Sequence, residues 1–378
     1  MENSKPGNRI ACLDGLRGLA ALWVLVGHAH ILTGFRVPII GDPDLGVDLF
    51  VMLSGFLMVF HYQLRQKKEP WEEPSTWTAF WIRRFFRIAP LYYVMLIAAL
   101  TLGPIVYDAR VTIDMFNAVT PQPASRYLDD SLTNYLTHFS FLFGLSPSYG
   151  YRTALPDWSI GLEMQFYAAL PFIMVIVGRL GWLKTIIGVV AAGFVAAHLV
   201  GKLGYHFPMP TFLPLKMHVF AAGMLLAAAL ETGRARTYLY AALACLFVLI
   251  PVGGDMRPMH EAVRLALVVL FFVLVHAERL PALASGLAQG ISDFLGNRFF
   301  HTLGELSFGA YLAHLLIMQP VVAWLIRHAD MSAPLRFLAT LAITIPVTYV
   351  IAAIGYNLIE MQGQKIGRSL TRPRAAAA

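Results

Sequence analysis

Two side chains able to handle anions and protons stand eleven residues apart in an otherwise apolar stretch: Arg17 and His28, within LDGLRGLAALWVLVGH. A helix turns every 3.6 residues, so this spacing is close to three whole turns. The guanidinium and the imidazole then share a face, about 16 Å apart along the axis. Asp14 lies on that face, one turn before Arg17. Histidine is the side chain best suited to take a proton near neutral pH, and Gly15, Gly18 and Gly27 admit a neighbouring helix or ligand at close range. Alone, His28 reads equally as a buried histidine bonded to a neighbouring helix, and Arg17 as an arginine reaching the headgroups. Grouped on one face with Asp14, they read as a polar path into a membrane.

A second group is basic. In WIRRFFRIAPLY, a helix would bring Arg83, Arg84 and Arg87 to one face at spacings of three and four. One reading is an anchor at the cytoplasmic end of a span. The other is an anion site for a cofactor carrying several phosphates, whose oxygens match arginine forks. Two acids, Glu163 after Trp158-Ser159 and Asp48 in GVDLFVMLSGF, fall near the depth of His28, where one of them could orient the imidazole. Asp48 also reads as an acid solvated at the interface; together with Ser54 and Trp158 it is a candidate substrate contact. His314 reads as a helix-packing histidine and Lys216 as a snorkelling lysine. There is no Walker loop, dinucleotide fingerprint, HExxH pair or nucleophile elbow, and the two cysteines lack metal-ligand spacing, so no metal is expected.

These groups need elements that hold them in lipid. Of 378 residues, 57% are hydrophobic and 13% charged, about half the charge of an ordinary soluble domain. The reading is all-α: a polytopic transmembrane helical bundle of about ten spans, at 13–33, 45–64, 88–107, 160–178, 184–201, 212–230, 236–252, 262–277, 304–327 and 336–359. The segment 108–159 is a loop, with a re-entrant or interfacial helix over 132–145. The net charge of +7 does not indicate nucleic acid, because the basic residues lie mostly between spans. Placing the N-terminus inside puts Lys5, Arg9, Arg372, Arg374 and most other basic residues in cytoplasmic segments, with Arg257 among the minority outside. Both termini are therefore expected in the cytoplasm. The polar start 1–8 has no cleavable signal pattern. A single integral-membrane domain over 1–378, with spans about 13–359, is expected, with no appended soluble domain.

In these residues the chain resembles the membrane acyltransferase 3 family, which includes O-acetyltransferases of bacterial surface polysaccharides. The resemblance rests on LDGLRG with His28 behind it, GVDLF and SGF, RFFRIAP, Trp158-Ser159 with Glu163 and Phe166-Tyr167, and LSF leading to Tyr311-Leu312-Ala313-His314. Each piece is short; their shared order is what makes the match specific. It implies a multi-pass enzyme of the bacterial inner membrane that moves an acyl group, usually acetyl, from cytoplasmic acyl-CoA to a hydroxyl, commonly of a sugar in a surface polysaccharide or lipid-linked glycan. It implies catalysis by His28 with support from Arg17, and coenzyme A phosphate binding by Arg84 and Arg87. Where relatives often carry a proline after the position of Glu360, this chain has Met361. A small-molecule, macrolide-like acceptor and a proton-coupled transporter or flippase are the competing readings. Acyl-CoA, a glycan acceptor and membrane lipids are the expected partners; a homo-oligomer is left open.

Overall fold

The computed structural model describes residues 10, 12–36, 38–252 and 258–371. The polar start 1–8 and Lys5, Arg9, Arg257, Arg372 and Arg374 of the orientation count lie outside the described residues. Among the described residues every regular element is helical. In chain order these are α1 (Cys12–Thr33), α2 (Pro43–Arg65), α3 (Pro74–Phe116), the short α4 (Ser125–Leu128) and α5 (Leu132–Phe139), α6 (Trp158–Leu180), α7 (Trp182–Lys202), α8 (Met217–Ala228), α9 (Arg234–Val248), α10 (Pro258–Val275), α11 (Ala282–Leu295), α12 (Arg298–His328), α13 (Ala333–Gly355) and α14 (Met361–Leu370).

Among the described residues eight helices are long and apolar enough to cross a membrane: α1, α2, α3, α6, α7, α10, α12, and α13 continued into α14. The chain is thus an all-α, polytopic protein. The difference from ten spans lies in α8 and α9, with 12 and 15 residues. At 1.5 Å per residue they reach about 18–22 Å of a hydrocarbon core near 30 Å. Every residue of α8 is buried. A helix apolar on all sides is buried either in lipid or in protein, and hydropathy alone does not separate the two. On the long helices the pattern is inverted relative to a soluble protein. Ile97, Ile105, Leu199 and Val350 are exposed while Asp48 and His314 are buried.

The chain forms two compact units made of interleaved segments, so neither needs a linker. The first comprises the described parts of 1–27, 37–68 and 176–307. Its centre is α8 against α2, with α7 and α9 also on α8, and α10 on α9 and α2. Two glycines permit the closest approach: a Cβ at Gly55 would press into the Phe220 carbonyl, and one at Gly223 into the Met52 carbonyl. Pro43 at its first turn and the Asp42 carboxylate accepting from Asp44 N at 3.1 Å start α2.

The second unit comprises 28–36, 69–175 and 308–378 as far as described. Its axis is α3, of 43 residues with Pro90 and Pro104 inside, and α14 lies along it. With Met361 where proline would stop the helix, the chain passes through a π turn at Tyr356–Glu360 and runs on as α14. Carbonyls at the end of α1 are taken up within this unit: Asn117 Nδ2 donates to Leu32 O at 3.0 Å and Arg336 Nη2 to Thr33 O at 3.3 Å. Segment 108–159 is more ordered than a loop. It contains the end of α3, then α4, α5 and a 3-10 turn at Leu142–Leu145. The helix expected over 132–145 is broken at Phe141, whose φ is 61°.

Candidate active site

His28 sits near the C-terminal end of α1, half-buried, and its partner in the second unit is a second imidazole. His314 Nε2, on α12, lies 3.1 Å from His28 Nδ1, with ring centroids 4.9 Å apart. His314 is 1% exposed, and its Nδ1 is 2.7 Å from the carbonyl of Tyr311, one turn earlier. The sequence points to a carboxylate beside His28 and to a packing role for His314; the neighbour is instead His314. The signal available was Tyr311-x-x-His314, which puts a phenol and an imidazole on one helix face.

Tyr311 joins this pair to α6. Ser159 Oγ donates to Tyr311 Oη at 2.7 Å, and Tyr311 Oη donates to Pro156 O at 2.6 Å. From there Ser159, Glu163 and Tyr167 follow at steps of four, a polar stripe about 12 Å long on one face of α6. The Tyr167 hydroxyl donates to the Glu163 carboxylate. The Arg84 guanidinium stands 5.7 Å over the Tyr167 ring and equally over that of Phe80. Trp81 Nε1 donates to Tyr167 O at 3.0 Å, fixing α3 to α6 at this level. The stripe therefore has the histidine pair at one end and the arginines at the other, with Glu163 between them. Arg83 is engaged differently. It forms a fork with Glu69, at 2.9 and 2.7 Å, which ties the start of α3 to the preceding loop. Trp158 is 4% exposed, a core side chain at the head of α6.

Just before α6, Asp157 is 2% exposed. Tyr92 Oη donates to its Oδ2 at 3.1 Å, and His138 Nε2 lies 3.8 Å from the same oxygen. Burial pushes this carboxyl up from the ordinary aspartate range. The folded state thus holds the proton more tightly than the unfolded one. The stability this contributes is complete below the ordinary aspartate value and is lost as pH rises through the folded value. Asp157→Asn keeps an acceptor for Tyr92 and removes the ionisation. In a thermal-unfolding series the variant should gain on the wild type as pH rises from the ordinary carboxylate range. Parallel curves at all pH values would overturn this reading.

The first unit holds the other candidates: Asp14, Arg17, Asp48 and Ser54. Asp14 is 3.7 Å from His301 Nε2. Asp48, 2% exposed, is the hub of a buried ion cluster: Lys216 Nζ donates to Oδ1 and Arg264 Nε to Oδ2, each at 2.5 Å. His260 Nε2 is 3.6 Å from the same Oδ2, while its Nδ1 is 3.0 Å from Asp42. Lys216 does not snorkel; it is buried against Asp48. Asp48 fastens α2 to the start of α8 and to α10. Ser54 lies six residues further along α2, half-buried. Among the described residues no group of three or more His, Cys, Asp or Glu is placed to hold a metal ion.

Residues 10–353 match the model of a family described as an acyltransferase domain. Among curated relatives, Acyltransferase MdmB of Streptomyces mycarofaciens is 26% identical over 337 residues, covering 82% of this chain and 79% of that protein. BcsY of Komagataeibacter xylinus, by name a proposed membrane-bound transacylase, is 33% identical over 171 residues, 45% of this chain and 38% of that one. Peptidoglycan O-acetyltransferase OatA of Listeria monocytogenes is 27% identical over 184 residues, 46% of this chain and 25% of its own. The chain thus spans well under two thirds of the latter two. No solved structure matches.

Proposed function

This chain belongs to the membrane acyltransferase 3 family, and from that premise we propose that it transfers an acyl group, acetyl foremost, from acyl-CoA to a hydroxyl of a sugar in a surface polysaccharide or lipid-linked glycan. The observation that carries the reading is the polar stripe of α6, with Arg84 beside Tyr167 at one end and the Ser159–Tyr311–His314–His28 chain at the other. A donor molecule with a phosphate-rich head and a thioester at the end of a long arm fits such a line. The head docks on Arg84 and Arg87 from the cytoplasm, and the arm follows α6 inward. The thioester meets the imidazole of His28, which acts as general base on the acceptor hydroxyl or relays the acyl group covalently. Glu163, within the stripe, orders the hydroxyl of Tyr167 beside the arm. Both termini lie in the cytoplasm and the enzyme works in the bacterial inner membrane. Arg83, held by Glu69, contributes to the field at the mouth. Asp14 and Arg17 support the entry of α1, Ser54 acts within the first unit, and the buried Trp158 packs the head of α6 in the second.

Equilibrium binding of acetyl-CoA to the purified protein tests this. Arg84→Ala with Arg87→Ala should weaken binding at least about tenfold, since each charge-assisted hydrogen bond to phosphate contributes about 1.5–3 kcal/mol. Unchanged affinity would return the arginines to a topology anchor. Wild-type protein that neither binds nor turns over acetyl-CoA would favour the transporter reading. Mass analysis of surface glycans with and without the gene reads the acceptor: loss of an acyl group supports a glycan, and unchanged glycans point to a small-molecule hydroxyl.

A further inference from the structure

We propose that His314 is a positioning residue that fixes the tautomer of His28, so that its Nε2, and not its Nδ1, carries the lone pair that does chemistry. The inference rests on the acyl-transfer reading above and adds which atom acts and what holds it there.

The Tyr311 carbonyl can only accept, so His314 Nδ1, 2.7 Å away, must be the N–H that donates to it. Neither neighbour of His314 on this line, a carbonyl and an imidazole, brings negative charge. At 1% exposure a charged His314 would carry the full cost of burying an ion. His314 is therefore neutral, and with its proton on Nδ1 its Nε2 is an acceptor. His28 Nδ1, 3.1 Å from that Nε2, must then be the donor. A neutral His28 with its proton on Nδ1 has its lone pair on Nε2. A backbone carbonyl thus sets the state of the second ring through the first, the role that a carboxylate fills in a serine-hydrolase triad.

Both open forms of the reaction need this tautomer. As a base, Nε2 takes the acceptor hydroxyl's proton while that oxygen attacks the thioester carbonyl carbon. The C–O bond forms, the C–S bond breaks, and the departing thiolate takes the proton back from Nε2. As a nucleophile, Nε2 attacks the thioester carbonyl carbon, so that an N–C bond forms while the C–S bond breaks and the thiolate departs; the acceptor oxygen then attacks that carbon, the N–C bond breaks, and the hydroxyl's proton ends on the thiolate. In either case the positive charge that forms on His28 is met by the same Nδ1–H donating to His314.

Nitrogen-15 NMR of the histidine rings, on full-length protein in lipid nanodiscs without substrate, tests the proposal. The chain has 12 histidines, and His28→Ala identifies the His28 signals by their loss. Wild type should show His28 as the Nδ1–H tautomer; an Nε2–H tautomer overturns the proposal with no variant needed. His314→Leu removes the acceptor. It should release His28 into a tautomer mixture and lower kcat with acetyl-CoA on the order of 10²-fold, with KM for acetyl-CoA held within about twofold. His314→Gln returns an amide oxygen as acceptor and should restore the Nδ1–H signal and most of kcat. A His314→Leu protein that keeps both the tautomer and kcat, or a His314→Gln protein that restores neither, overturns the proposal. Failure of the acyl-transfer reading is distinguishable: wild type would then be inactive with acetyl-CoA while the tautomer signal stands.

Discussion

His28→Ala should leave the protein folded and inserted while lowering acyl transfer by about 10³-fold or more. The imidazole is half-buried near the end of a helix whose terminal carbonyls are secured independently by Asn117 and Arg336. Truncation therefore takes out one ring without unseating α1. General acid–base catalysis contributes about 10²–10⁴-fold, and a residue that also relays the acyl group would add to that. The measurement is acetyl-CoA turnover by purified protein beside thermal unfolding of the same sample. Preserved unfolding with lost turnover is the expected pair. Near-wild-type turnover would remove His28 from the chemistry, and with it the basis for reading α6 as the donor's path. Collapse of the fold would make His28 a packing residue, the alternative its sequence position always allowed.

Much of this is legible in the sequence. Charge content and apolar run lengths sufficed for an all-α, multi-pass protein, because no other solvent suits so much apolar surface. The span count was less legible for a definite reason. α8 is as apolar as a span yet is buried by protein on every side, and hydropathy responds to both burials alike. His28, Arg84 and Glu163 could be picked out by type and spacing, since each is an ionisable group beside or within apolar sequence. Their partners could not. Nothing local says that Asp48 belongs to Lys216 and Arg264, residues far along the chain, or that His28 belongs to His314. Such pairs are tertiary facts. The i,i+4 stripe of Ser159, Glu163 and Tyr167 is the exception, a local pattern that helical periodicity alone would have revealed.

The Asp48 cluster yields the other large effect, on stability. Asp48→Ala should destabilise the protein by about 3–5 kcal/mol, the scale for breaking a buried ion pair from one side. The size follows from what is left behind. Lys216 and Arg264 each donate to Asp48 at 2.5 Å, and Lys216 is 6% exposed. Without the carboxylate, two cations are left side by side, Lys216 buried and Arg264 half-buried. His260 is still held by Asp42, which cannot replace the lost charge at both. The cost is thus not the value of the contact but the penalty of the orphans. This makes a compensated variant informative. Asp48→Leu with Lys216→Met and Arg264→Met removes all three charges and should recover most of the stability, as hydrophobic replacements of buried ion clusters do. Thermal or chemical unfolding in a fixed detergent reads both variants. If Asp48→Ala unfolds like wild type while KM for the acceptor rises, Asp48 is a substrate contact and not a fastener of α2 to α8 and α10. If the compensated variant is stable but inactive, the charges serve the reaction, and their burial is the condition under which they do so.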